Sequence, residues 1–205
     1  MGYMKAKQFI IAAILLVCTQ SAILAQNEFS FTPKVGLNIA NISGTGGTDP
    51  RYGVNVGFSV EREIFPNLAL ESGVFYSMQG MRFSSGNLDV NLDYINVPIL
   101  AKYYVFNGLN VFAGPQLGFN VKAKAEAKGS LLDVQVDYKD YIKTFDPALV
   151  FGLGYQFDMG LSVSASYNWS FLDQMKDANV VINYINANAD KYHNHVLQFN
   201  VGWRF

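Results

Sequence analysis

Cysteine, charge and long apolar runs are all scarce in this chain of 205 residues. Charged residues make up 15% of the sequence, although half of all residues are hydrophobic; a typical soluble domain has about 25% charged residues. After the N-terminal region no segment is a continuous apolar run of the ~20 residues that a membrane-spanning helix needs. The formal net charge is −1, so the composition gives no indication of a nucleic-acid partner.

The single cysteine, Cys18, lies in an N-terminal segment organised like a secretory signal peptide. Two lysines precede an apolar run, and small and polar residues follow it, which is the order typical of such peptides. We assign residues 1–25 to the signal peptide, with Ala22 as an alternative cleavage site. A lipoprotein cysteine is disfavoured because a bulky valine precedes Cys18. The mature chain then has no disulfide framework and no thiol chemistry.

The C-terminal stretch from His195 to Phe205 alternates large apolar residues with amide, glycine and guanidinium groups. Side chains alternate between the two faces of a strand, so this stretch predicts a strand with one apolar and one polar face. The printed sequence stops on an aromatic residue of the apolar face. A barrel in a lipid membrane requires such a strand, because pairing with the first strand removes the exposed edge.

The same alternation recurs along the chain and predicts an all-β fold. Tight turns alternate with longer connections, as in bacterial outer-membrane barrels with short periplasmic turns and longer outer loops. We therefore expect residues 26–205 to form an eight-stranded antiparallel up-and-down transmembrane β-barrel in the outer membrane of a Gram-negative bacterium. The expected strands are 31–40, 51–62, one starting at 68, 90–104, 109–124, 144–157, 161–172 and 195–205, with a bulge near Tyr94 and a tight turn at Asn107-Gly108.

Aromatic residues gather toward the ends of these strands, where amphipathic rings favour the membrane–water interface. The alternative is a soluble lipocalin-like barrel that binds a small ligand. Its outer face would be charged, whereas here the face opposite the apolar one carries Ser, Gly, Asn and Gln. The expected girdles are Tyr103, Tyr155, Phe157, Trp203 and Phe205 at one rim, and Tyr52, Tyr94, Phe145, Trp169 and Phe171 at the other.

Several segments resemble the PorT-type outer-membrane β-barrel family. They are LDYINVPILAKYY at 92–104, VFAGPQLG at 111–118, FGLGY at 151–155 and YNWSFLD at 167–173. The resemblance covers essentially the whole mature chain, and the first segment is its most specific part. It implies a small eight-stranded outer-membrane protein, a group in which most members have no assigned biochemical activity. The role in protein secretion associated with the named member is not carried over, because no motif of functional residues accompanies it.

Charged residues also occur on the predicted lumen face. An eight-stranded barrel is just wide enough to be filled by side chains, and a buried charge costs several kcal/mol unless it is paired. We interpret these residues as a polar network that closes the lumen; a narrow ion path or small-ligand site is the alternative. The residues are Lys34, Arg51, Glu61, Glu71, Lys102, Lys122, Asp146 and Arg204, with expected pairs Lys34–Glu61, Glu71–Lys102 and Lys122–Asp146.

A serine nucleophile with a histidine base would suit an outer-membrane lipid-modifying enzyme, the second alternative. His193 and His195 are the only histidines, and Ser162, Ser164 and Ser166 lie on the preceding strand. The sequence names no acidic residue to orient either histidine, so we expect no catalytic residue, no enzyme activity and no cofactor. The two histidines share one side of a strand and could form a two-ligand metal site; wet rim residues are the simpler interpretation.

The region between Lys124 and Thr144 alternates apolar and polar residues, which predicts a hairpin protruding beyond the bilayer. A protruding strand edge can recruit a partner chain by β-augmentation, and shielding of the barrel mouth is the alternative. The expected partners are outer-membrane lipid and a protein at the outer loops. The family resemblance adds the barrel-assembly machinery, which would recognise the terminal aromatic residues. The hairpin candidates are Leu132, Val134, Val136 and Tyr138, and the C-terminal assembly signal is Trp203 and Phe205.

Overall fold

Alternating residues produce nine β-strands in this computed structural model, which describes residues 29–43, 48–83, 88–128, 133–137, 143–171 and 193–205. The predicted signal peptide lies outside these ranges. No helix in the described ranges is long and apolar enough to cross a membrane. The strands are β1 (Phe29–Ser43), β2 (Thr48–Phe65), β3 (Leu68–Phe83), β4 (Leu88–Phe106), β5 (Leu109–Lys128), β6 (Asp133–Asp137), β7 (Phe145–Gln156), β8 (Leu161–Ser170) and β9 (His193–Trp203).

Eight of these strands close into an antiparallel barrel, which confirms the predicted fold. The order β4-β3-β2-β1-β9-β8-β7-β5 returns to its start because β4 also pairs with β5. At the seam, β1 and β9 pair with Val35 opposite Val201. Beyond that ladder, Phe205 N donates to Phe31 O at 2.9 Å and Phe31 N donates to Phe205 O at 3.3 Å. No barrel strand is left with an open edge at this seam.

The predicted tight turns define one end of the barrel, here called the turn end. Asn107 and Gly108 both have positive φ, at 38° and 85°. A type I′ turn requires this at both of its central residues, which explains the Asn-Gly pair. The other two turns of this end lie at 66–67 and 158–160, and the described termini also lie here. The opposite end, where the longer connections start, is called the loop end.

The expected bulge lies where β4 meets β5. Asp93 is opposite Lys122 and Tyr94 is opposite Asn120, so Val121 is an extra residue on β5. The extra residue moves the part of β5 beyond it to the opposite phase. On the turn-end side of the bulge the even-numbered Asn120 is buried, whereas on its loop-end side the odd-numbered Ala123 is buried.

The ninth strand, β6, was expected only as part of a hairpin. It pairs with β5 from Lys124↔Asp137 to Lys128↔Asp133, whereas β7 pairs with β5 from Leu109 to Phe119. Since β4 pairs with β5 on its other edge, β6 follows β7 along the same edge, beyond the loop end. The predicted protrusion of β5 is therefore present. Leu132, Tyr138 and the predicted register slip at residues 140–142 lie outside the described ranges.

The barrel wall has an apolar outer face and a polar inner face. Exposed hydrophobic residues include Val56 and Phe58 on β2, Leu153 on β7 and Val201 on β9. Buried polar residues occupy the other phase of the same strands. An aqueous exterior would select the opposite arrangement, so the wall is built for a lipid surrounding.

Candidate functional site

Charged side chains meet inside the lumen at the turn end. Lys102 Nζ lies 2.7 Å from Glu61 Oε2 and 2.8 Å from Glu71 Oε2, and Lys34 Nζ also pairs with Glu71. Tyr104 OH donates to Glu61 Oε1 at 2.6 Å. We call these side chains, together with Arg204, the ion cluster. It brings together five of the eight lumen residues that the sequence suggested: Lys34, Glu61, Glu71, Lys102 and Arg204.

Arg204 links the ion cluster to the end of the chain. Its Nη1 lies 3.5 Å from Glu61 Oε1 and donates to Tyr104 OH at 3.3 Å, while Nη2 donates to Ser30 Oγ at 2.8 Å. Since Arg204 follows β9 and Ser30 is on β1, these contacts cross the seam that closes the barrel. The ion cluster therefore also joins the first and last strands.

Of the three expected ion pairs, the structure contains Glu71–Lys102 and replaces the other two. Lys34 pairs with Glu71 on β3 instead of Glu61 on β2, so this contact passes over the neighbouring strand. Lys122 pairs with Asp93 at 3.4 Å instead of Asp146, because the bulge at Val121 moves it off the lumen face.

The two remaining lumen candidates lie outside the ion cluster. Asp146 is buried farther along the lumen and accepts a hydrogen bond from Ser170 Oγ. Arg51 lies where the β2–β3 register shifts, and its Nη1 donates to the backbone carbonyl of Gln79. Arg51 Nη1 is also 4.0 Å from Asp93 Oδ1. It thus belongs with Asp93 and Lys122 near the loop end.

The middle of the lumen is filled by amide and hydroxyl side chains. Asn38 donates to Ser77 Oγ at 2.9 Å, Gln198 donates to Asn38 Oδ1 at 3.0 Å, and Asn55 donates to Asn200 Oδ1 at 2.9 Å. Two small cavities of about 40 and 10 Å³ remain among them. Volumes of this size hold about three waters and one water respectively, so they do not form a pore of porin size.

At the loop end the lumen filling changes from polar to apolar. Ile42, Met81, Leu92, Tyr94 and Ala123 pack together, and Val90 lies against them. We call the five packed residues the apolar plug. Tyr94 was expected in the outer aromatic girdle, but only 1% of it is exposed, inside the lumen. The sequence carried the signal for this feature: Val90, Leu92 and Tyr94 are apolar in the phase that faces the lumen.

The serine and histidine candidates lie on opposite faces of the wall. Ser164 and Ser166 line the larger cavity. His195 shares its strand phase with the exposed Leu197 and Phe199, and its Nδ1 lies 2.8 Å from Tyr167 OH. The sheet therefore separates Ser164 and Ser166 from His195. Among the described residues, no group of three or more His, Cys, Asp or Glu side chains is placed to hold a metal ion.

A closed barrel with an apolar exterior and a filled lumen defines the class of small transmembrane β-barrels. The chain belongs to the outer membrane protein beta-barrel domain family, whose model matches residues 24–175. It is thus a small integral protein of the outer membrane of a Gram-negative bacterium. The soluble lipocalin-like alternative is therefore not supported. Outer-membrane barrels have short periplasmic turns and longer outer loops, so the turn end is periplasmic and the loop end faces outward.

One solved structure shows the same fold at low sequence identity, and two others are similar with lower scores. Neisserial surface protein A is 12% identical, with a TM-score of 0.51, and the match covers 87% of this chain and 98% of that chain. Ail of Yersinia pestis is 15% identical with a TM-score of 0.46, covering 87% and 99%. The N-terminal β-barrel domain of Pseudomonas aeruginosa OprF is 11% identical with a TM-score of 0.43, covering 85% and 97%. No curated protein sequence matches the chain.

Proposed function

We propose that this protein is a structural or interaction barrel whose outer loops form a contact surface, with a closed lumen and no catalytic turnover. The observation that carries the proposal is the extension of β5 beyond the barrel wall. β5 continues from Phe119, its last partner of β7, to Lys128. At about 3.3 Å per residue this adds roughly 30 Å of strand beyond the part that pairs with β7.

The edge of the extension supports strand addition. β5 is paired with β4 on one side and with β6 on the other, and in the described ranges β6 pairs with β5 alone. The second edge of β6 carries backbone N–H and C=O groups that an extended segment can pair with. The register sets Lys124 opposite Asp137 and Lys128 opposite Asp133.

The finer family assignment and the assembly route are also proposals. The segment at 92–104 supports a PorT-type protein, and the terminal Trp203 and Phe205 support recognition by the barrel-assembly machinery. Both are exposed on the outer wall, where such a factor can reach them. The absence of enzyme activity is supported by the separation of the lumen serines from His195.

Replacement of Leu132–Tyr138 with a Gly/Ser linker tests the contact surface. The barrel should fold normally, judged by heat-modifiable mobility, while a partner crosslinked at the cell surface should be lost. The matched control is Val134→Thr with Val136→Thr, which keeps strand propensity and the backbone edge. If the control variant retains the partner, the partner pairs with the backbone of the hairpin. If the linker variant recovers the partner as well as the wild type does, the hairpin is ruled out as the binding element.

A further inference from the structure

Each of the three turns at the turn end carries one strongly exposed apolar side chain. Phe65 is 66% exposed, Phe106 is 70% exposed and Met159 is 68% exposed. Among the large hydrophobic residues of the described ranges, only Tyr52, at 68%, is as exposed as these. The other exposed apolar side chains lie along the strands of the wall, whereas these three lie where the wall ends.

Two of these side chains follow an extra residue in their strand. The β2–β3 register skips Ile64 just before Phe65, and the β4–β5 register skips Val105 just before Phe106. An extra residue exchanges the two faces of the strand beyond it. Without it, each phenylalanine would continue the lumen phase of its strand; with it, Phe106 lies opposite the exposed Leu109 on the outer face.

Exposed apolar side chains occur around the whole rim of the turn end. The strand order places the β4–β5 turn, the β2–β3 turn, the β1–β9 seam and the β7–β8 turn one after another around the barrel. Phe106, Phe65, Phe205 and Met159 are exposed at these four places, and we call them the turn-end ring. A ring of this kind suits lipid, which surrounds a barrel on every side, better than a protein that docks against one side.

The height of the apolar band also requires the turns. On β4 the outward phase beyond the charged Asp93 begins with Ile95 and continues to Tyr103. At about 3.3 Å per residue and a tilt of about 40°, this stretch spans roughly 20 Å, less than the ~25 Å apolar band of such barrels. Extending it from Ile95 to Phe106 gives roughly 28 Å by the same geometry. The turn-end ring therefore completes the apolar band.

We propose that the turn-end ring is inserted into the inner leaflet of the outer membrane, with phospholipid acyl chains packed against Phe65, Phe106 and Met159. Aromatic residues are favoured at the membrane–water interface. An Asn or Asp lies within two residues of the apolar residue in each of the three turns, which limits insertion to the depth where headgroups meet the chains. The ring thus anchors the periplasmic end of the barrel in lipid. It lies at the opposite end from the extended hairpin and does not depend on the function proposed for that hairpin.

Tryptophan fluorescence in lipid vesicles tests the depth of the ring. In the full mature barrel with Trp169→Phe and Trp203→Phe, a single reporter is introduced as Phe65→Trp, Phe106→Trp or Met159→Trp. Each variant is first checked for heat-modifiable mobility. Lipids brominated near the start of the acyl chain should quench every reporter more strongly than aqueous iodide does. A turn whose reporter is quenched by iodide and not by brominated lipid would overturn the proposal.

The benchmark for depth is Ile99→Trp in the same background. Ile99 lies midway along the stretch from Ile95 to Phe106 and is exposed on the outer wall. Lipids brominated deep in the acyl chain should therefore quench this reporter most, whereas the turn reporters should respond most to shallow bromines. Turn reporters quenched as deeply as Ile99→Trp would contradict insertion at headgroup depth.

Bilayer thickness gives a second measurement that needs no reporter. Phe65→Ser with Phe106→Ser shortens the apolar band, so the barrel should best resist urea in lipids with shorter acyl chains than the wild type prefers. The matched control, Phe58→Ser with Phe151→Ser, removes two exposed phenylalanines from the wall itself. It should weaken the barrel without moving the preferred chain length. An unchanged preference in the turn variant, or an equal shift in the control, would overturn the proposal.

Discussion

At the periplasmic turn end, the lumen is filled by charged side chains that contact one another, whereas at the outer loop end it is filled by the apolar plug. Lys102 in the ion cluster contacts two carboxylates, while Leu92 in the plug packs with the apolar side chains of its cluster. Removing one partner from a buried ion pair leaves an uncompensated charge, but trimming an apolar side chain leaves only a cavity. The turn end should therefore respond more sharply to single substitutions.

The largest effect is expected from deletion of Trp203–Phe205, which opens the seam at the turn end. The deletion removes the two hydrogen bonds between Phe205 and Phe31 and the pairing of Trp203 with Leu161. Unpaired backbone groups in lipid cost several kcal/mol each. The truncated protein should reach the periplasm but lose heat-modifiable mobility and membrane insertion. Normal mobility would contradict this.

A substitution pair separates seam closure from recognition by the assembly machinery. Trp203→Ala with Phe205→Ala keeps the backbone of the last strand and removes only the rings. If the rings are an assembly signal, this variant should fold into lipid vesicles in vitro yet fail to insert in cells. Insertion in cells at the wild-type level would argue against an aromatic signal.

The next largest effect is expected from Glu71→Gln in the ion cluster. This change removes the carboxylate that contacts both Lys34 and Lys102. Breaking a buried pair by removing one partner costs about 3–5 kcal/mol. Unfolding in urea, followed by tryptophan fluorescence in lipid vesicles, should show a loss of this size.

A double substitution checks that charge causes this loss. Glu71→Gln with Lys34→Gln removes one positive charge together with the negative one, so it should recover much of the stability. Lys143→Gln, outside the barrel strands, is the control for removing a lysine and should stay within about 0.5 kcal/mol of wild type. Equal stabilities of the single and double variants would show that packing, not charge, dominates at this end.

A smaller effect is expected at the loop end from Leu92→Ala. Leu92 is 1% exposed within the apolar plug, and truncation of a buried leucine to alanine costs about 2–5 kcal/mol. We expect the lower part of this range, because the plug adjoins the barrel mouth and can relax into the space. The volume-conserving Met81→Leu should cost less than about 1.5 kcal/mol in the same urea titration. A larger loss for Leu92→Ala than for Glu71→Gln would reverse the proposed difference between the two ends.

The fold could be predicted from sequence because both of its determinants are local. Period-two alternation sets which face of each strand meets lipid, and Asn107-Gly108 sets a turn by its own backbone preference. These signals act over a few residues, so neighbouring strands need not be known to interpret them. A bulge was predicted near Tyr94 from the change of apolar phase on β4, but β4 keeps its phase there, and the extra residue is Val121 on the paired strand β5.

The partners inside the lumen were harder to predict because they depend on contacts between strands that are not adjacent. Lys34 on β1 contacts Glu71 on β3, whereas reasoning by hairpin register compares neighbouring strands only. One extra residue, Val121, was enough to move Lys122 from the predicted lumen face to the outer wall. The sequence did not predict the apolar plug, because apolar side chains on a barrel strand are expected to face lipid.

The smallest effect, no change at all, is expected for ion conductance after the loop end alone is opened. Leu92→Ala removes part of the apolar plug, but the ion cluster still fills the lumen at the turn end, and the cavities found among the described residues between them measure about 40 and 10 Å³. In planar bilayers both the wild-type barrel and Leu92→Ala should therefore show no stable steps of porin size. Reproducible large steps in the wild type would contradict a closed lumen. Steps in Leu92→Ala alone would show instead that the apolar plug, not the ion cluster, closes it.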